Sequence, residues 1–272
     1  MRGRTLPWGA RTYLMGIVNL SPDSFSGDGV ADGAARAVVQ REAGADILDL
    51  GAQSTRPGHR PIGPELELER LLPALTRLRA LDGETIVSID TYTPDVYRHA
   101  HAAGADIVNS IWGASPALIE AALATGSPMV VMHNAPVPVY DGDVVDEVLR
   151  FLLDVATRAV AAGISAEHVI VDPGIGFGKT AEHNLRILGR LDRLVALGFP
   201  TLIGTSRKST IGKLTGRRVD ERVFGTAATV ALAAAAGIDI VRVHDVGEQR
   251  DVVQVSDAIA RGWRPAGWSV AG

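Results

Sequence analysis

The chain has no cysteine. That absence excludes disulfides, thiolate nucleophiles and cysteine-ligated zinc together. No stretch concentrates lysine and arginine and the formal net charge is −4, so a nucleic-acid footprint has no basic patch to rest on. No apolar run approaches the length that spans a bilayer. Met1 to Trp8 carries charge without the apolar stretch of a signal peptide, so the expected location is the cytoplasm. HExxH, EF-hand and G-x-S-x-G patterns are also missing. What is present is an ordinary globular balance, 46% hydrophobic and 21% charged over 272 residues. α/β barrels reach this length as one domain. A single domain over 1–272 is therefore expected, with its ordered core at about 11–264.

The densest signal is Asp172-Pro173-Gly174-Ile175-Gly176-Phe177-Gly178-Lys179, directly after the apolar run Val169-Ile170-Val171. Its end resembles a nucleotide P-loop, but the spacing of that motif needs glycine where Pro173 stands. G-x-G-x-x-G fails as well, because Lys179 occupies the last glycine position. What remains is a carboxylate at a strand end. A stiff proline holds it, and the glycines admit close approach by another group. Lys179 reads as a solvated loop cation.

Short β-rich runs alternate with amphipathic segments along the whole chain. Strands are expected at Thr12–Val18, Ile47–Leu50, Thr85–Ile89, Ile107–Asn109, Met129–Met132, Val169–Val171, Thr201–Ile203 and Ile240–Val243. Helical patterns lie between them, among them Pro94–Ala103, Pro116–Ala124, Val144–Ala162 and Ala181–Leu197. Thr93-Pro94 and Ser115-Pro116 mark helix starts, and glycines such as Gly237 mark ends. Eight strand–helix units specify a (β/α)8 TIM barrel; a doubly wound open sheet is the rival topology.

Barrel enzymes place their chemistry at the C-terminal strand ends. Those positions hold Asn19, Asp49 onward, Asp90, Asn109, His133-Asn134, Asp172, Gly204 to Ser209, and Arg242-Val243-His244-Asp245. Asp90, Asn109 and Asp172 suit a flat heterocycle with an amidine-like edge and a carbonyl, because carboxylates accept paired N–H donors and an amide does both. Each could instead cap the helix or turn that follows. Arg56, Arg242, His244 and Asn19 form a second group, with Lys208 between the two. Arginine forks and lysine recognise phosphate oxygens, and Asn19 could help hold Mg²⁺, which leans on substrate phosphates. Ser206 precedes a cationic pair without an evident base. Ala45-Asp46, Ala105-Asp106 and Ile238-Asp239 repeat at the opposite strand ends and read as structural turns.

These motifs in this order resemble the dihydropteroate synthase family over about the whole chain. The resemblance is carried by Met15-Gly16-Ile17-Val18-Asn19, Ser21-Pro22-Asp23-Ser24-Phe25-Ser26 and Ser54-Thr55-Arg56-Pro57-Gly58. Ser88-Ile89-Asp90-Thr91, Asp172 to Lys179, Ser206-Arg207-Lys208-Ser209 and Arg242-Val243-His244-Asp245 complete it. It implies a transferase that joins (7,8-dihydropterin-6-yl)methyl diphosphate to 4-aminobenzoate with release of pyrophosphate. By the resemblance, Asp90, Asn109, Met132, Asp172, Phe177, Gly204 and Lys208 would bind the pterin. Asn19, Arg56, Arg242 and His244 would hold the diphosphate, with Asn19 serving Mg²⁺. Phe25, Thr55, Pro57 and Ser209 would shape the aminobenzoate site. Asp23, Arg56 and Lys208 would be catalytic, with Asp23 facing the developing cation. A homodimer through the later helices is implied too.

The chain departs from the family pattern at Gly51-Ala52-Gln53, where Gly-Gly-Glu is usual, and at Asn109-Ser110, where Asn-Asp is usual. Gly27-Asp28-Gly29 also replaces the usual Asp-Gly-Gly. A pterin-dependent methyltransferase and a non-catalytic pterin-binding paralogue are the alternative functions.

Overall fold

A computed structural model of the chain describes residues 5–20, 29–53 and 62–269. Eight parallel strands form one sheet in the order β6-β5-β4-β3-β2-β1-β8-β7. They are β1 (Tyr13–Asn19), β2 (Ile47–Gly51), β3 (Ile86–Asp90), β4 (Ile107–Ser110), β5 (Met129–Met132), β6 (Val169–Asp172), β7 (Leu202–Ile203) and β8 (Ile240–Val243). A parallel bridge between Val171 and Thr201 joins β6 to β7, and the Val171 N–H donates to the Pro200 carbonyl there. The barrel expected from the sequence is the fold observed.

The helices are α1 (Gly29–Glu42), α2 (Pro64–Leu81), α3 (Pro94–Ala102), α4 (Pro116–Thr125), α5 (Val144–Ala161), α6 (Ala181–Leu188), α7 (Leu191–Val195), α8 (Ser209–Thr215), α9 (Val223–Ala236) and α10 (Val246–Ala260). Pro94 and Pro116 occupy first-turn positions, where their missing N–H leaves no bond unmade. Ser115 accepts the Leu118 N–H, and Asp143 caps α5 through the Val145 and Asp146 N–H groups. Two expectations need correction. The pattern read as one helix over Ala181–Leu197 breaks at Gly189-Arg190, where Arg190 leaves helical geometry (φ −135, ψ 36). The short α8 went unread, because its seven residues are too few to show a helical period.

Alternation along the strands divides the core in two. Leu48 and Leu50 of β2, Val87 and Ile89 of β3, and Val241 and Val243 of β8 point outward and pack in the core that includes the buried faces of the helices. Tyr13, Met15, Ile47, Ile86, Ile107, Val130, Ile170, Leu202 and Ile240 point inward and plug the barrel. Each such side chain contributes roughly 1.5–3 kcal/mol on burial. One pleat further along, two residues on, the inward positions become Ile17, Asp49, Ser88, Asn109, Met132, Asp172, Gly204 and Arg242, most of them polar. The register that builds the plug thus also builds a polar layer above it.

The repeated aspartates at the other end prove structural, as expected. Asp46 accepts the Leu14 N–H at 2.9 Å and Asp106 accepts the Val87 N–H at 2.9 Å. Asp239 accepts from the Thr201 N–H (2.9 Å), the Thr201 hydroxyl (2.9 Å) and the Gly9 N–H (2.8 Å). Each carboxylate satisfies the first N–H groups of a neighbouring strand. Replacing Asp239 by Ala strands the two buried Thr201 donors and is expected to cost roughly 2–3 kcal/mol. Urea denaturation should show a lower midpoint with an unchanged slope; an unmoved midpoint would contradict the assignment.

Candidate active site

Arg242 enters the polar layer from β8 and spans the barrel. Its Nε donates to Asp49 Oδ2 at 2.6 Å and its terminal nitrogen lies 3.0 Å from Asp90 Oδ2. Asp49 Oδ2 also accepts from Asn109 Nδ2 at 3.1 Å. Four strands are thereby linked through one guanidinium and one carboxylate. Burial disfavours the charge of Arg242, but Asp49 and Asp90 outweigh it and hold its pKa above the ordinary value. Burial raises Asp90, and the Arg242 charge only partly opposes it. Sequence reading counted Asp49 merely as the start of a loop; the structure makes it a fully buried anchor for Arg242 and Asn109.

Asp172 ends β6 and its Oδ1 accepts the Gly174 N–H at 2.7 Å. Burial pushes its pKa up to about 6, although that N–H and the Lys208, Lys179 and Arg242 charges pull it down. The glycines do admit close approach. A Cβ on Gly174 would sit 2.0 Å from the His133 carbonyl oxygen, and one on Gly176 would sit 3.0 Å from the Lys208 side chain. Both have positive φ, 68° and 83°. Lys208 crosses Gly176 and places Nζ 4.0 Å from the centre of the Phe177 ring. Burial and Arg242 lower its pKa to about 8, against the pull of Asp172 and Asp90.

Lys179 overturns its reading as a solvated cation. Its Nζ reaches the Phe177 carbonyl (3.0 Å), the His133 carbonyl (3.3 Å) and His133 Nδ1 (2.9 Å). Three acceptors match the three protons of an ammonium, so Lys179 staples the loop after β6 to the loop after β5. Burial lowers its pKa to about 7, and burial followed by the Lys179 charge lowers His133 to about 4. Asn184 supports the same loop, accepting the Gly176 N–H at 2.9 Å and donating to Thr210 at 3.0 Å. Neither role was visible in the sequence, because both depend on contacts between loops.

Met132 is buried at the end of β5, while Phe177, Gly204, Lys208 and His244 are half-buried at the mouth. Asn19 ends β1 beside Gly51, half-buried, and its carbonyl accepts from Arg36. Ser209 begins α8 and is exposed. Asp23, Phe25, Thr55, Arg56 and Pro57 lie outside the described residues. Of the departures, Gln53 is buried, accepting the Ile62 N–H at 2.9 Å and donating to the Tyr92 hydroxyl at 2.8 Å. The residue that precedes the segment 54–61 is thus tied directly to Ile62, which follows it. Ser110 is buried at the end of β4 and its hydroxyl has no partner among the described residues. Ser206, read as lacking a base, lies 3.0 Å from His244 Nδ1.

A barrel mouth that combines buried carboxylates, an amide and cations suits a polar heterocycle with an anionic tail, and the chain belongs to the pterin binding enzyme family. The sequence profile of that family matches residues 15–244. Within the family it is an enzyme of the dihydropteroate synthase type, a transferase. It is 43% identical to the dihydropteroate synthase of Synechocystis sp. over 96% of this chain and 94% of that protein. The Clostridium difficile dihydropteroate synthase, solved in the presence of pteroic acid, superposes with a TM-score of 0.91 at 39% identity, covering 94% of this chain and all of that one. The Xanthomonas albilineans enzyme in complex with 7,8-dihydropteroate gives 0.86 at 40% identity, covering 96% and 97%.

The raised pKa of Asp172 has a consequence for stability. Between the ordinary aspartate value of 3.8 and about 6, the native chain keeps a proton that the unfolded chain has lost. Native stability therefore falls as pH rises through that window. Asp172→Asn removes the titration while keeping an oxygen for Gly174. The variant should match wild type near about pH 4 and exceed it by roughly 1–3 kcal/mol at about pH 8. Urea titrations at the two pH values check this, and a variant less stable at the higher pH would contradict it.

Proposed function

We propose that this enzyme joins (7,8-dihydropterin-6-yl)methyl diphosphate to 4-aminobenzoate at the barrel mouth, releasing pyrophosphate and 7,8-dihydropteroate. One observation carries the placement. Asp49 Oδ1, in the layer that also holds Asn109 and Asp172, and Asp90 Oδ1, one pleat further along β3, are buried without partners among the described residues. Buried acceptors of this kind need donors, and the amino and ring N–H groups of a pterin supply them. Asp172 accepts the paired N–H edge, Asn109 donates and accepts beside it, and Met132 and Phe177 line the ring slot. Gly204 leaves room next to Lys208, which donates to the pterin carbonyl.

Arg242 and His244, with Arg56, hold the diphosphate, which is drawn toward that side of the mouth by Arg242 and Lys208. The carbon–oxygen bond between the methylene and the diphosphate breaks with its electron pair leaving on the diphosphate oxygen. Those cations favour the departure electrostatically. Ring nitrogens share the positive charge left on the methylene, and Asp23 faces it. The aniline nitrogen of 4-aminobenzoate, held by Phe25, Thr55, Pro57 and Ser209, then forms the new carbon–nitrogen bond and loses a proton. No protein nucleophile is required, so catalysis rests on positioning and charge.

Mg²⁺ fits the donor set in a limited way. Among the described residues no group of three or more His, Asp or Glu side chains forms a metal cage. A lone Asn19 ligand suits an ion that takes most of its oxygens from water and a substrate diphosphate. When bound, such an ion would neutralise charge on the leaving diphosphate.

The reading includes a homodimer working in the cytoplasm. Phe224 (85% exposed) and Leu232 (65%) on α9, with Val255 (59%) and Ile259 (82%) on α10, present large apolar side chains on two helices that pack together. Exposed apolar groups gathered this way mark a protein contact, and an isologous dimer uses one patch twice. No helix among the described residues is long and apolar enough to cross a membrane, which supports an aqueous location.

A pyrophosphate-release assay should show turnover only with both substrates present. Asp172→Asn should weaken binding of the pterin diphosphate by about tenfold or more in calorimetry, in line with the loss of a charged acceptor. Tight pterin binding without turnover in wild type would establish the non-catalytic reading instead. For the dimer, Phe224→Asp combined with Ile259→Asp should shift the sedimentation coefficient to that of a monomer. A wild-type protein that sediments as a monomer at micromolar concentration would remove the dimer.

A further inference from the structure

Ser206 and His244 meet where the loop after β7 faces the end of β8. The Ser206 Oγ accepts the His244 backbone N–H at 3.1 Å and lies 3.0 Å from His244 Nδ1. Ser206 is 4% exposed, so its hydroxyl proton needs an acceptor within the protein. The backbone N–H can only donate and takes one lone pair of Oγ. The remaining acceptor within reach of the hydroxyl among the described residues is Nδ1. If Nδ1 carried the proton instead, the hydroxyl would receive two donors and leave its own proton buried without a partner. Burial, with Arg242 and Arg207 nearby, lowers the His244 pKa to about 4, which keeps the ring neutral at neutral pH.

We propose that Ser206 is a positioning residue that fixes His244 as the Nε2–H tautomer, so that the ring presents a donor to the substrate diphosphate. The proposal rests on the diphosphate assignment made above and adds the device that sets its hydrogen-bond polarity. The opposite tautomer would turn a ring lone pair toward phosphate oxygens and repel them. The next residues in each loop reinforce the geometry. Arg207 forms an ion pair with Asp245, its Nε donating to Oδ2 at 3.0 Å, and its backbone N–H donates to the Thr226 hydroxyl at 3.1 Å. These contacts hold Arg207 at φ 57, a left-handed conformation unusual outside glycine. Two consecutive pairings, 206 with 244 and 207 with 245, thus lock the loops in register.

The test reads the tautomer and the binding separately. Histidine-¹⁵N-labelled wild type, without ligand and at neutral pH, is examined by long-range ¹H–¹⁵N correlation, the His244 signals being assigned by their loss in His244→Asn. Wild type and Ser206→Thr should show the proton on Nε2. Ser206→Ala should show a tautomer mixture and bind inorganic pyrophosphate about tenfold more weakly, with unchanged affinity for a free hydroxymethyl-dihydropterin. A proton on Nδ1 in wild type would overturn the proposal, whatever the variants do. So would a Ser206→Ala protein that keeps a pure Nε2–H ring and full pyrophosphate affinity. If wild type shows the Nε2–H ring yet binds no pyrophosphate, the diphosphate assignment falls and takes the presenting role with it.

Discussion

The site is organised around Arg242 held between Asp49 and Asp90. Its guanidinium crosses from β8 to β2 and β3 at 2.6 and 3.0 Å. Removing one partner from a buried pair of this kind typically costs about 3–5 kcal/mol, because a charge is left without compensation. Here the loss would spread further. Asp49 also orients Asn109, and Arg242 contributes to the electrostatics of Asp172, Lys208 and His244. The arrangement is therefore specific more than stabilising: one cation fixes two carboxylates and, through one of them, an amide, before any substrate arrives.

That cation reaches its partners because a closed barrel imposes a two-residue period on every strand. Ile47 and Asp49 share the inward face of β2, as Ile240 and Arg242 share that of β8. The lower residues exclude water and the upper ones use the low-dielectric space that results. A slip of one residue would send the aspartates into the outer apolar core and the leucines into the mouth. The aspartates at the barrel base help guard against this, since each accepts strand N–H groups in one register only.

Much of this was legible in the sequence where the cause is local. Strand ends, proline helix starts and the base aspartates each follow from a few adjacent residues. Asp90, Asn109 and Asp172 could be placed at the mouth because strand ends in this fold have a known address. Asp49 falls inside the expected strand Ile47–Leu50, but its anchoring role was missed because its partners Asn109 and Arg242 lie 60 and 193 positions away. Lys179 was misread for a similar reason: its three acceptors come from two loops separated by 46 positions to His133 and 2 to Phe177. Ser206 had its partner 38 positions away. Contacts of that span leave no periodicity to detect.

Four ionisable groups of the site share one condition. Burial moves Asp172 up to about 6 and Asp90 upward, and it moves Lys208 down to about 8 and Lys179 to about 7. Each of these four shifts opposes the charged form, whereas Arg242, lying between two carboxylates, is shifted the other way. Donors to the carboxylates would lower their values and an acceptor for Lys208 would raise its value, while Lys179 already has three acceptors within the protein. The folded protein tolerates the mismatch because the plug, the base aspartates and the Arg242 bridge fix the side chains more firmly than their own solvation would. The densest sequence motif belongs to this balance: Asp172 is its acid, Gly176 admits the Lys208 counter-charge, and Lys179 keeps the loop where both can act.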